Sequence, residues 1–309
     1  MNTYDVIVIG GGPAGSSSAL ILGRSRLHVL MIDKATPRNI RAHGIHGFIS
    51  RDGMPPLDLR RSAHAEVLAL GVRIIDAVAS DLQGIPDGFI VTLENGEQYQ
   101  SPRIVLATGK TDELPPVIGM DKYYGTSVFH CPFCDGWEVR DKRLAVYSTT
   151  PHKGVAIAKG LLTWSPDVIL FTNGVSVKHD DRVSASDAGI PIRQEKIRRL
   201  VGDDDRMHAM ELQDGQLVER DALFFDGPTR QQWDIARKMG CRTTRTGAIR
   251  TDKKQRTEVP GLYVVGDAAA DPNMVVVAAA DGVKAALNIV QELQKEGHWL
   301  PGRGTKRAG

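Results

Sequence analysis

The alternation of hydrophobic and polar positions predicts strands and helices in turn along the chain. An apolar, β-branched run at 4–9 predicts a strand, helical spacing follows at 16–23, and a second apolar run at 27–32 predicts another strand. The same order returns later, beginning with a strand at 144–147 and a helix at 154–163. A strand, a crossover helix and a second strand form a βαβ unit, whose strands lie parallel in one sheet. The chain is therefore expected to contain two such units.

The remaining pattern adds short strands, hairpin turns and one long helix near the C-terminus. Asn-Gly and Asp-Gly pairs between β-rich runs are strong hairpin signals, and they occur at Asn95-Gly96 and Asp214-Gly215. Further strands are predicted at 72–79, 89–93, 104–107, 168–172 and 262–265, further helices at 57–70 and 275–293, and a proline-containing linker at 113–119. We therefore expect an α/β fold with two Rossmann-like, three-layer nucleotide-binding domains, the second inserted into the first.

Length and composition narrow the class of protein. The 309 residues suggest about two domains, and 41% hydrophobic with 25% charged residues is typical of a soluble globular chain. Because 39 Lys and Arg nearly balance 37 Asp and Glu, we expect no nucleic-acid partner. Apolar runs are too short to span a membrane, and three cysteines are too few for a disulfide-stapled secreted scaffold. We expect a cytoplasmic protein.

Three glycines in the first βαβ unit form a dinucleotide-binding pattern. Gly10, Gly12 and Gly15 give G-x-G-x-x-G between a strand and a helix. The first glycine permits a tight turn, the second lets the backbone approach a pyrophosphate, and the third lets the helix pack closely on the strand. Asp33, at the end of the next strand, can accept hydrogen bonds from ribose hydroxyls. This context disfavours a glycine-rich turn without a ligand and predicts FAD or NAD, without choosing between them.

Two of the three cysteines lie close together and are followed directly by a carboxyl group. Cys131 and Cys134 form Cys-x-x-Cys before Asp135. Such a pair can close a disulfide and exchange two electrons, and the adjacent carboxyl can supply or remove the proton. A structural zinc ion would need four ligands, but Cys241 is the one cysteine outside this pair. Covalent haem attachment would need His directly after the second cysteine, where this chain has Asp135. We expect a redox-active pair and no metal; an inert buried pair is the remaining alternative.

In combination, the motifs resemble those of the low-molecular-weight thioredoxin-reductase family of flavoproteins. The order is the glycine loop, then Thr108-Gly109, then Cys-x-x-Cys-Asp-Gly, then Gly266-Asp267 before the long helix. The resemblance spans nearly the whole chain. It implies an FAD-binding domain formed by 1–115 plus 245–309 and an inserted NADPH-type domain, 116–244, that carries the cysteines. It also implies a homodimer.

The resemblance further implies a set of site residues. By it, Cys131 and Cys134 are the redox-active pair, with Cys134 nearer the flavin, and Asp135 is the proton-transfer acid. The family's Arg-Gln before the last helix is replaced by Asn273-Met274, which leaves the flavin contacts there open. The expected FAD contacts are Gly10, Gly12, Pro13, Ala14, Gly15, Asp33, Lys34, Val78, Thr108, Gly109, Asp267, Met274 and Val275.

The second βαβ unit departs from the family where NADPH would bind. The expected glycines fall on Ser148 and Thr150, and the small third position falls on Lys153. A β-branched residue fits poorly where the backbone must touch a pyrophosphate. Asn173 and Gly174 stand where the family carries a basic cluster for the 2′-phosphate. We predict that this nicotinamide site is lost; the alternative is a divergent loop that still binds NADPH, with Lys153 as a phosphate contact.

Without NADPH, another electron donor or acceptor must serve the flavin. The resemblance implies either a ferredoxin-dependent reductase of a thioredoxin-like protein or a dithiol oxidase that passes electrons to oxygen. Oxidases of this type often carry His where this chain has Asp135, which slightly favours the reductase. We therefore predict a flavin-dependent disulfide oxidoreductase with a ferredoxin-type donor and a thioredoxin-like protein or a small dithiol or disulfide as partner. The dithiol oxidase, an NADPH-dependent thioredoxin reductase and a non-enzymatic flavin redox sensor are the alternatives.

Two aromatic features remain open to more than one interpretation. Phe129, Phe133 and Trp137 bracket the cysteines, either as a docking rim or as ordinary core residues. The pair His298-Trp299 is either a cover for the flavin or an exposed C-terminal turn.

Overall fold

The computed structural model describes residues 2–231, 234–245, 247–269 and 273–297. The chain divides into two compact units. Unit 1 comprises Met1–Arg38, Leu57–Thr111 and Gln231–Gly309, and unit 2 comprises Asn39–Pro56 and Asp112–Arg230.

The first half of the chain contains short strands and four α-helices. In chain order the elements are β1 (Asn2–Thr3), β2 (Val6–Ile9), α1 (Pro13–Arg24), β3 (Val29–Asp33), α2 (Pro56–Leu68), β4 (Arg73–Asp76), β5 (Ala79–Ile85), β6 (Gly88–Leu93), β7 (Gln98–Ser101), β8 (Ile104–Leu106), β9 (Lys110–Asp112), α3 (Met120–Tyr123), β10 (Val128–Phe129) and α4 (Pro132–Asp135).

The second half repeats the alternation and ends in the longest helix. Its elements are β11 (Leu144–Ser148), α5 (Pro151–Leu161), β12 (Val168–Phe171), α6 (His179–Asp187), β13 (Ile192–Arg193), β14 (Ile197–Asp203), β15 (Arg206–Leu212), β16 (Leu217–Glu219), β17 (Ala222–Asp226), β18 (Thr229–Gln231), α7 (Asp234–Lys238), β19 (Leu262–Val264), a 3-10 turn (Gly266–Ala268) and α8 (Val275–Lys295). None of the helices in the described ranges combines the length and the apolar character needed to cross a membrane.

Unit 1 is built on a parallel five-stranded sheet in the order β19-β8-β2-β3-β4. Strands β2 and β3 are buried along their whole length, which explains why they are continuous apolar runs rather than alternating ones. One face, with Val6 and Val8, packs on α1 and α8. The other face, with Ile7 and Ile9, packs against the four-stranded sheet β1-β7-β6-β5. These layers confirm a Rossmann-like α/β arrangement in this unit.

Unit 2 carries a second parallel sheet of five strands, in the order β10-β17-β11-β12-β13. Helix α5 connects β11 to β12 and packs Val155, Ala158 and Leu161 into a core with Val146 and Leu170. The antiparallel sheet β14-β15-β16 contributes Leu200 and Met210 to a second core on the opposite face. The second unit therefore has the same α/β plan, and the predicted fold class of two Rossmann-like parts is confirmed.

The observed bounds differ from several predicted ones. The single predicted strand 72–79 is two strands, because β4 ends at Asp76 in the parallel sheet and β5 begins at Ala79 in the antiparallel one. The predicted domain bounds, 1–115 with 245–309 and 116–244, place residues 39–56 in the first domain, whereas the structure places them in unit 2. The reason is long-range: Arg41 donates to the backbone of Asp121, and His43 Nε2 lies 3.0 Å from Asp205 Oδ2.

Candidate functional site

The glycine loop of unit 1 has the geometry that its three glycines require. Gly10 has φ +108°, and a Cβ there would lie 2.2 Å from the carbonyl O of Ala107. A Cβ at Gly15 would lie 1.8 Å from the carbonyl O of Gly10, so α1 can approach β2 only without a side chain. A Cβ at Gly12 would meet no atom within 4 Å, and Gly12 caps α1 without a side-chain hydrogen bond. The loop therefore presents an open cradle at a helix N-terminus, where a pyrophosphate binds well.

A second segment of unit 1 lies beside the glycine loop and carries an orphaned polar atom. Thr108 Oγ1 is buried and has no hydrogen-bond partner within the described part of the chain. The next residue, Gly109, has φ +67°, a conformation that glycine adopts readily. A buried hydroxyl without a partner costs free energy unless a ligand satisfies it. The Thr108-Gly109 segment therefore fits the bound dinucleotide that the loop predicts.

The predicted ribose acid, Asp33, is held in a small network. Asp33 Oδ1 accepts the N–H of Gly11 at 3.1 Å, and Oδ2 accepts Arg60 Nε at 2.8 Å. His64 Nε2 lies 3.1 Å from the carbonyl O of Gly11 and 3.8 Å from Asp33 Oδ2. Arg60 and His64 lie on α2, and the sequence contained no signal for either. They fix the carboxylate next to the loop.

The other predicted flavin contacts are spread over unit 1. Asp267 forms an ion pair with Arg38, whose Nη1 lies 2.7 Å from Asp267 Oδ2. Lys34 and Val78 are exposed, and Met274 caps the half-buried start of α8 at Val275. A buried lysine was missed in the sequence: Lys110 is 8% exposed, and its Nζ lies 3.5 Å from Asn273 Oδ1. His298-Trp299 lies outside the described residues.

The cysteine pair of unit 2 forms a disulfide at the start of α4. Cys131 and Cys134 are bonded, with their Cα atoms 5.3 Å apart. Cys131 precedes the helix, and its carbonyl O accepts the N–H groups of Cys134 and Asp135. A Cβ at Gly136 would lie 2.6 Å from the Trp164 ring, so only glycine lets this turn pack on Trp164. The geometry explains why a glycine follows the Cys-x-x-Cys-Asp motif.

The environment of Asp135 favours its protonated form. Burial, together with the smaller effect of the negative charge of Glu138, raises the pKa of the Asp135 carboxyl to about 7. A carboxyl with a pKa near neutrality is present in both forms at physiological pH, which suits a group that gives and takes protons. Glu138 was not singled out in the sequence, because its effect depends on a local turn.

The residues around the disulfide divide into buried and exposed groups. Phe129 is buried, as core packing requires, whereas Phe133 is 79% and Trp137 is 63% exposed. Phe133 contacts the edge of Trp164, and the Arg140 guanidinium stacks over Trp137. Of the three bracketing aromatics, only Phe133 and Trp137 can serve as a rim for a partner.

The turn after β11 in unit 2 satisfies its own polar groups. Ser148 is fully buried; its Oγ accepts the N–H of Thr150 at 3.1 Å and lies 3.2 Å from Asp226 Oδ2. Lys153 Nζ lies 3.7 Å from Asp226 Oδ1, so the one cation of this turn already faces a carboxylate. Thr150 lies directly before α5, just as Gly12 lies directly before α1. The structure therefore aligns Thr150 with Gly12, as the sequence predicts.

Asn173 and Gly174, after β12, carry no cation themselves, but a Cβ at Gly174 would lie 3.0 Å from Cε of Lys196. Asn173 has φ +51° and donates its side-chain N–H to the Tyr147 hydroxyl at 3.0 Å. Arg193, on the neighbouring strand, bonds Glu195 and stacks over the Phe171 ring. The Arg193 guanidinium lowers the pKa of Glu195, as expected for a tight ion pair. The basic pair Arg198 and Arg199 is likewise bound to Glu211.

Comparison with known proteins defines the class to which these features belong. The model of the pyridine nucleotide-disulphide oxidoreductase family matches residues 4–157 and 175–282. The chain belongs to this family, whose membership implies a flavin cofactor. The family match and the relatives described in the next paragraph show that the chain is a thioredoxin-reductase-like flavin disulfide oxidoreductase.

The individual relatives are similar over most of their length. A probable thioredoxin reductase of Arthroderma benhamiae is 29% identical, covering 95% of this chain and 81% of that protein. The thioredoxin reductase sirT of Leptosphaeria maculans is 29% identical over 93% of both chains. Among solved structures, HlmI is 36% identical with a TM-score of 0.91 over 95% of this chain and 93% of HlmI. The putative thioredoxin reductase TrxB of Bacillus anthracis is 30% identical with a TM-score of 0.91, over 96% and 100%.

Proposed function

We propose that the chain is an FAD-dependent thiol–disulfide oxidoreductase that works without a pyridine nucleotide. In this proposal a ferredoxin-type donor reduces the flavin, and the Cys131–Cys134 pair passes the electrons to a thioredoxin-like protein. The names of the relatives, several of them thioredoxin reductases, support the class of partner. The open cradle at Gly12 and the orphaned Thr108 hydroxyl support FAD in unit 1.

The observation that carries the proposal is the turn after β11. A pyrophosphate there would need free backbone N–H groups, but the N–H of Thr150 already donates to Ser148 Oγ. The carboxylate of Asp226 lies within 4 Å of both Ser148 Oγ and Lys153 Nζ, and it would repel a phosphate. In addition, the family match omits residues 158–174, which contain β12 and Asn173-Gly174. These features argue against NADPH at this turn.

The residues of the chain have distinct roles in the proposed reaction. When bound, the flavin supplies two-electron transfer between the external donor and the cysteine pair. In the reduced pair, one cysteine thiolate attacks the partner disulfide, a mixed disulfide forms, and one partner sulfur leaves as a thiolate. The second cysteine then breaks the mixed disulfide, which re-forms the Cys131–Cys134 bond and releases the partner as a dithiol. Asp135 holds or returns the proton of the departing sulfur.

A second candidate function runs in the opposite direction. In a dithiol oxidase, a substrate dithiol reduces the Cys131–Cys134 disulfide and oxygen accepts the two electrons, giving hydrogen peroxide. The specific observation in its favour is the pair of exposed aromatic side chains, Phe133 and Trp137, on either side of Cys134. Such a rim suits a small apolar dithiol as well as a protein partner.

Paired turnover assays with a cysteine variant test the proposal. Reduced ferredoxin, the protein and oxidised thioredoxin are incubated anaerobically, and the thioredoxin thiols are counted. We expect thiols from the wild type, and a loss of about 1000-fold or more with Cys134→Ser, which keeps its flavin. A small dithiol in air tests the oxidase by oxygen uptake. Unchanged activity of Cys134→Ser would refute the mechanism, and no turnover in either assay would support a redox sensor.

A further inference from the structure

A buried lysine of unit 1 lies between two segments that are expected to contact the flavin. Lys110 follows Thr108-Gly109 directly in the chain and is only 8% exposed. Its Nζ lies 3.5 Å from the side-chain Oδ1 of Asn273, and Asn273 directly precedes Met274 at the start of α8. The Lys110 ammonium therefore has a predicted set of flavin contacts on each side.

The packing of unit 1 brings both segments next to the glycine loop. A Cβ at Gly10 would lie 3.3 Å from the backbone N of Thr108. A Cβ at Gly266 would lie 2.9 Å from Ala14 Cβ, in the first turn of α1, and 3.4 Å from Ala278 Cβ, in the first turn of α8. The loop, the Thr108 segment and the turn at Gly266 follow the parallel strands β2, β8 and β19, so they share the carboxyl end of one sheet, where ligands of such folds bind.

The start of α8 is a positive region in its own right. The N-terminus of this 21-residue helix carries a partial positive charge and N–H groups without a partner inside the helix. Met274 is not a residue type that caps such groups well, and the first turn contains no acidic side chain. The Lys110 ammonium adds a full positive charge here, and the neutral Asn273 amide orients it. This place therefore suits an electron-rich part of a ligand.

The charge of a flavin depends on its oxidation state. Two electrons and one proton convert the oxidised ring into a form with one more negative charge, and a second proton neutralises this form. A fixed positive charge beside the ring therefore favours the reduced state, in the same way that a cation favours an ionised carboxyl. By linkage, a group that binds reduced FAD more tightly than oxidised FAD raises the reduction potential of the bound flavin by the same free energy.

We propose that Lys110 contacts the bound flavin and, together with the N-terminus of α8, favours its reduced form. The proposal rests on the proposed function in one respect, the binding of FAD in unit 1. It holds for either source of the two electrons, the ferredoxin-type donor or a substrate dithiol acting through the cysteine pair. In both cases Lys110 makes the flavin a better electron acceptor.

Potentiometric titration of the flavin-loaded protein tests the proposal. Cys131 and Cys134 are replaced by serine in every sample, so that the flavin alone takes up electrons, and its absorbance is followed against a reference dye. For Lys110→Met we expect the equilibrium constant of two-electron reduction to fall by about 10-fold or more, equivalent to ~30 mV. Lys110→Gln, which keeps a hydrogen-bond donor without the charge, should give a similar fall.

A matched control removes the same charge from the other end of the same helix. Lys295 is exposed in the last turn of α8, 20 residues and therefore about 30 Å from Val275. Lys295→Met should leave the equilibrium constant of reduction unchanged. If a Lys110 variant releases FAD, its dissociation constants for oxidised and reduced FAD give the same fold-change, because the two measurements belong to one thermodynamic cycle.

The outcomes separate this proposal from the proposed function. An unchanged equilibrium constant in Lys110→Met, an equal loss of affinity for both forms of FAD, a wild-type value in Lys110→Gln, or an equal fall in Lys295→Met would overturn the role of the Lys110 charge. The titration requires no turnover. A protein that shows the expected shift but reduces no disulfide and oxidises no dithiol would therefore refute only the proposed function.

Discussion

The turns after β2 and β11 occupy the same place in two similar units, yet they differ in almost every property that matters for a nucleotide. Gly12 and Thr150 both precede a helix that begins with proline. In unit 1 the position is open, because a Cβ at Gly12 would meet no atom within 4 Å. In unit 2 a buried serine binds the turn's own N–H, and a carboxylate lies behind it.

This difference shows that a Rossmann-like fold does not itself imply a bound nucleotide. The fold supplies a strand, a tight turn and a helix N-terminus, but the ligand requires free N–H groups and a surface without negative charge. Unit 1 leaves the position at Gly12 open, whereas in unit 2 the N–H of Thr150 donates to Ser148 Oγ, which lies 3.2 Å from the Asp226 carboxylate. Substitutions in the two turns and beside the disulfide test this comparison.

The largest effect is expected from filling the open cradle of unit 1. Gly12→Val should leave the fold intact, because a Cβ there meets no atom within 4 Å, but it should block the approach of a pyrophosphate. We expect FAD affinity to fall by about 100-fold or more, the equivalent of ~3 kcal/mol of lost hydrogen bonds. Equilibrium FAD titration measures this, with the matched variant Thr150→Val as control. An equal loss of FAD in both variants would contradict the comparison.

A somewhat smaller effect is expected at the acid beside the disulfide. Asp135→Asn should slow thiol–disulfide exchange by about 100-fold and remove an inflection near pH 7, where the Asp135 carboxyl titrates. Whether the wild-type rate rises or falls with pH shows whether the protein oxidises a dithiol or reduces a disulfide. Oxidation of a dithiol needs the carboxylate as base, so its rate rises through about pH 7, whereas reduction of a disulfide needs the acid, so its rate falls. A variant that retains the inflection would show that another group titrates.

Adding a methyl group to each turn should affect stability unequally. A Cβ at Gly15 would lie 1.8 Å from a backbone oxygen, whereas one at Gly154 would meet only side-chain atoms, at 2.8 Å from Leu170 Cδ1 and 2.9 Å from Ser148 Cβ. We expect Gly15→Ala to cost about 3 kcal/mol of unfolding free energy and Gly154→Ala about 1 kcal/mol. Thermal unfolding with excess FAD measures both. Equal losses would indicate that the two helices are packed equally tightly on their strands.

The smallest effect is expected at the one cation of the second turn. Lys153 is 65% exposed and faces Asp226, so Lys153→Ala should change turnover by less than about 2-fold. Steady-state rates with each electron donor measure this. A large rise in the KM for NADPH would instead identify Lys153 as a phosphate contact and restore the NADPH alternative.

Much of the fold could be predicted because its signals are local. The buried runs of β2 and β3, the spacing of the glycines in the first loop and the Asn95-Gly96 hairpin between β6 and β7 can each be read from a few neighbouring residues. The strand predicted at 72–79 was wrong because the chain changes sheets between Asp76 and Ala79 without a change of pattern.

The parts that could not be predicted depend on contacts between distant residues. Residues 39–56 belong to unit 2 through pairs such as His43 with Asp205, which leave no periodicity in the sequence. The same holds for His46 with Glu138 and for Ser148 with Asp226. Helix α6 was missed because only Ala185 of its nine residues is buried, so it has no apolar stripe. The predicted roles of the individual site residues remain predictions.

Anaerobic reduction of the flavin by NADPH tests the central claim most directly. The purified yellow protein is mixed with excess NADPH in a stopped-flow instrument, and the flavin absorbance is followed, with reduced ferredoxin and a dithiol as parallel reductants. We predict no bleaching by NADPH within the time that either of the other reductants bleaches the flavin. Rapid bleaching by NADPH would contradict the claim that the second turn has lost its nucleotide.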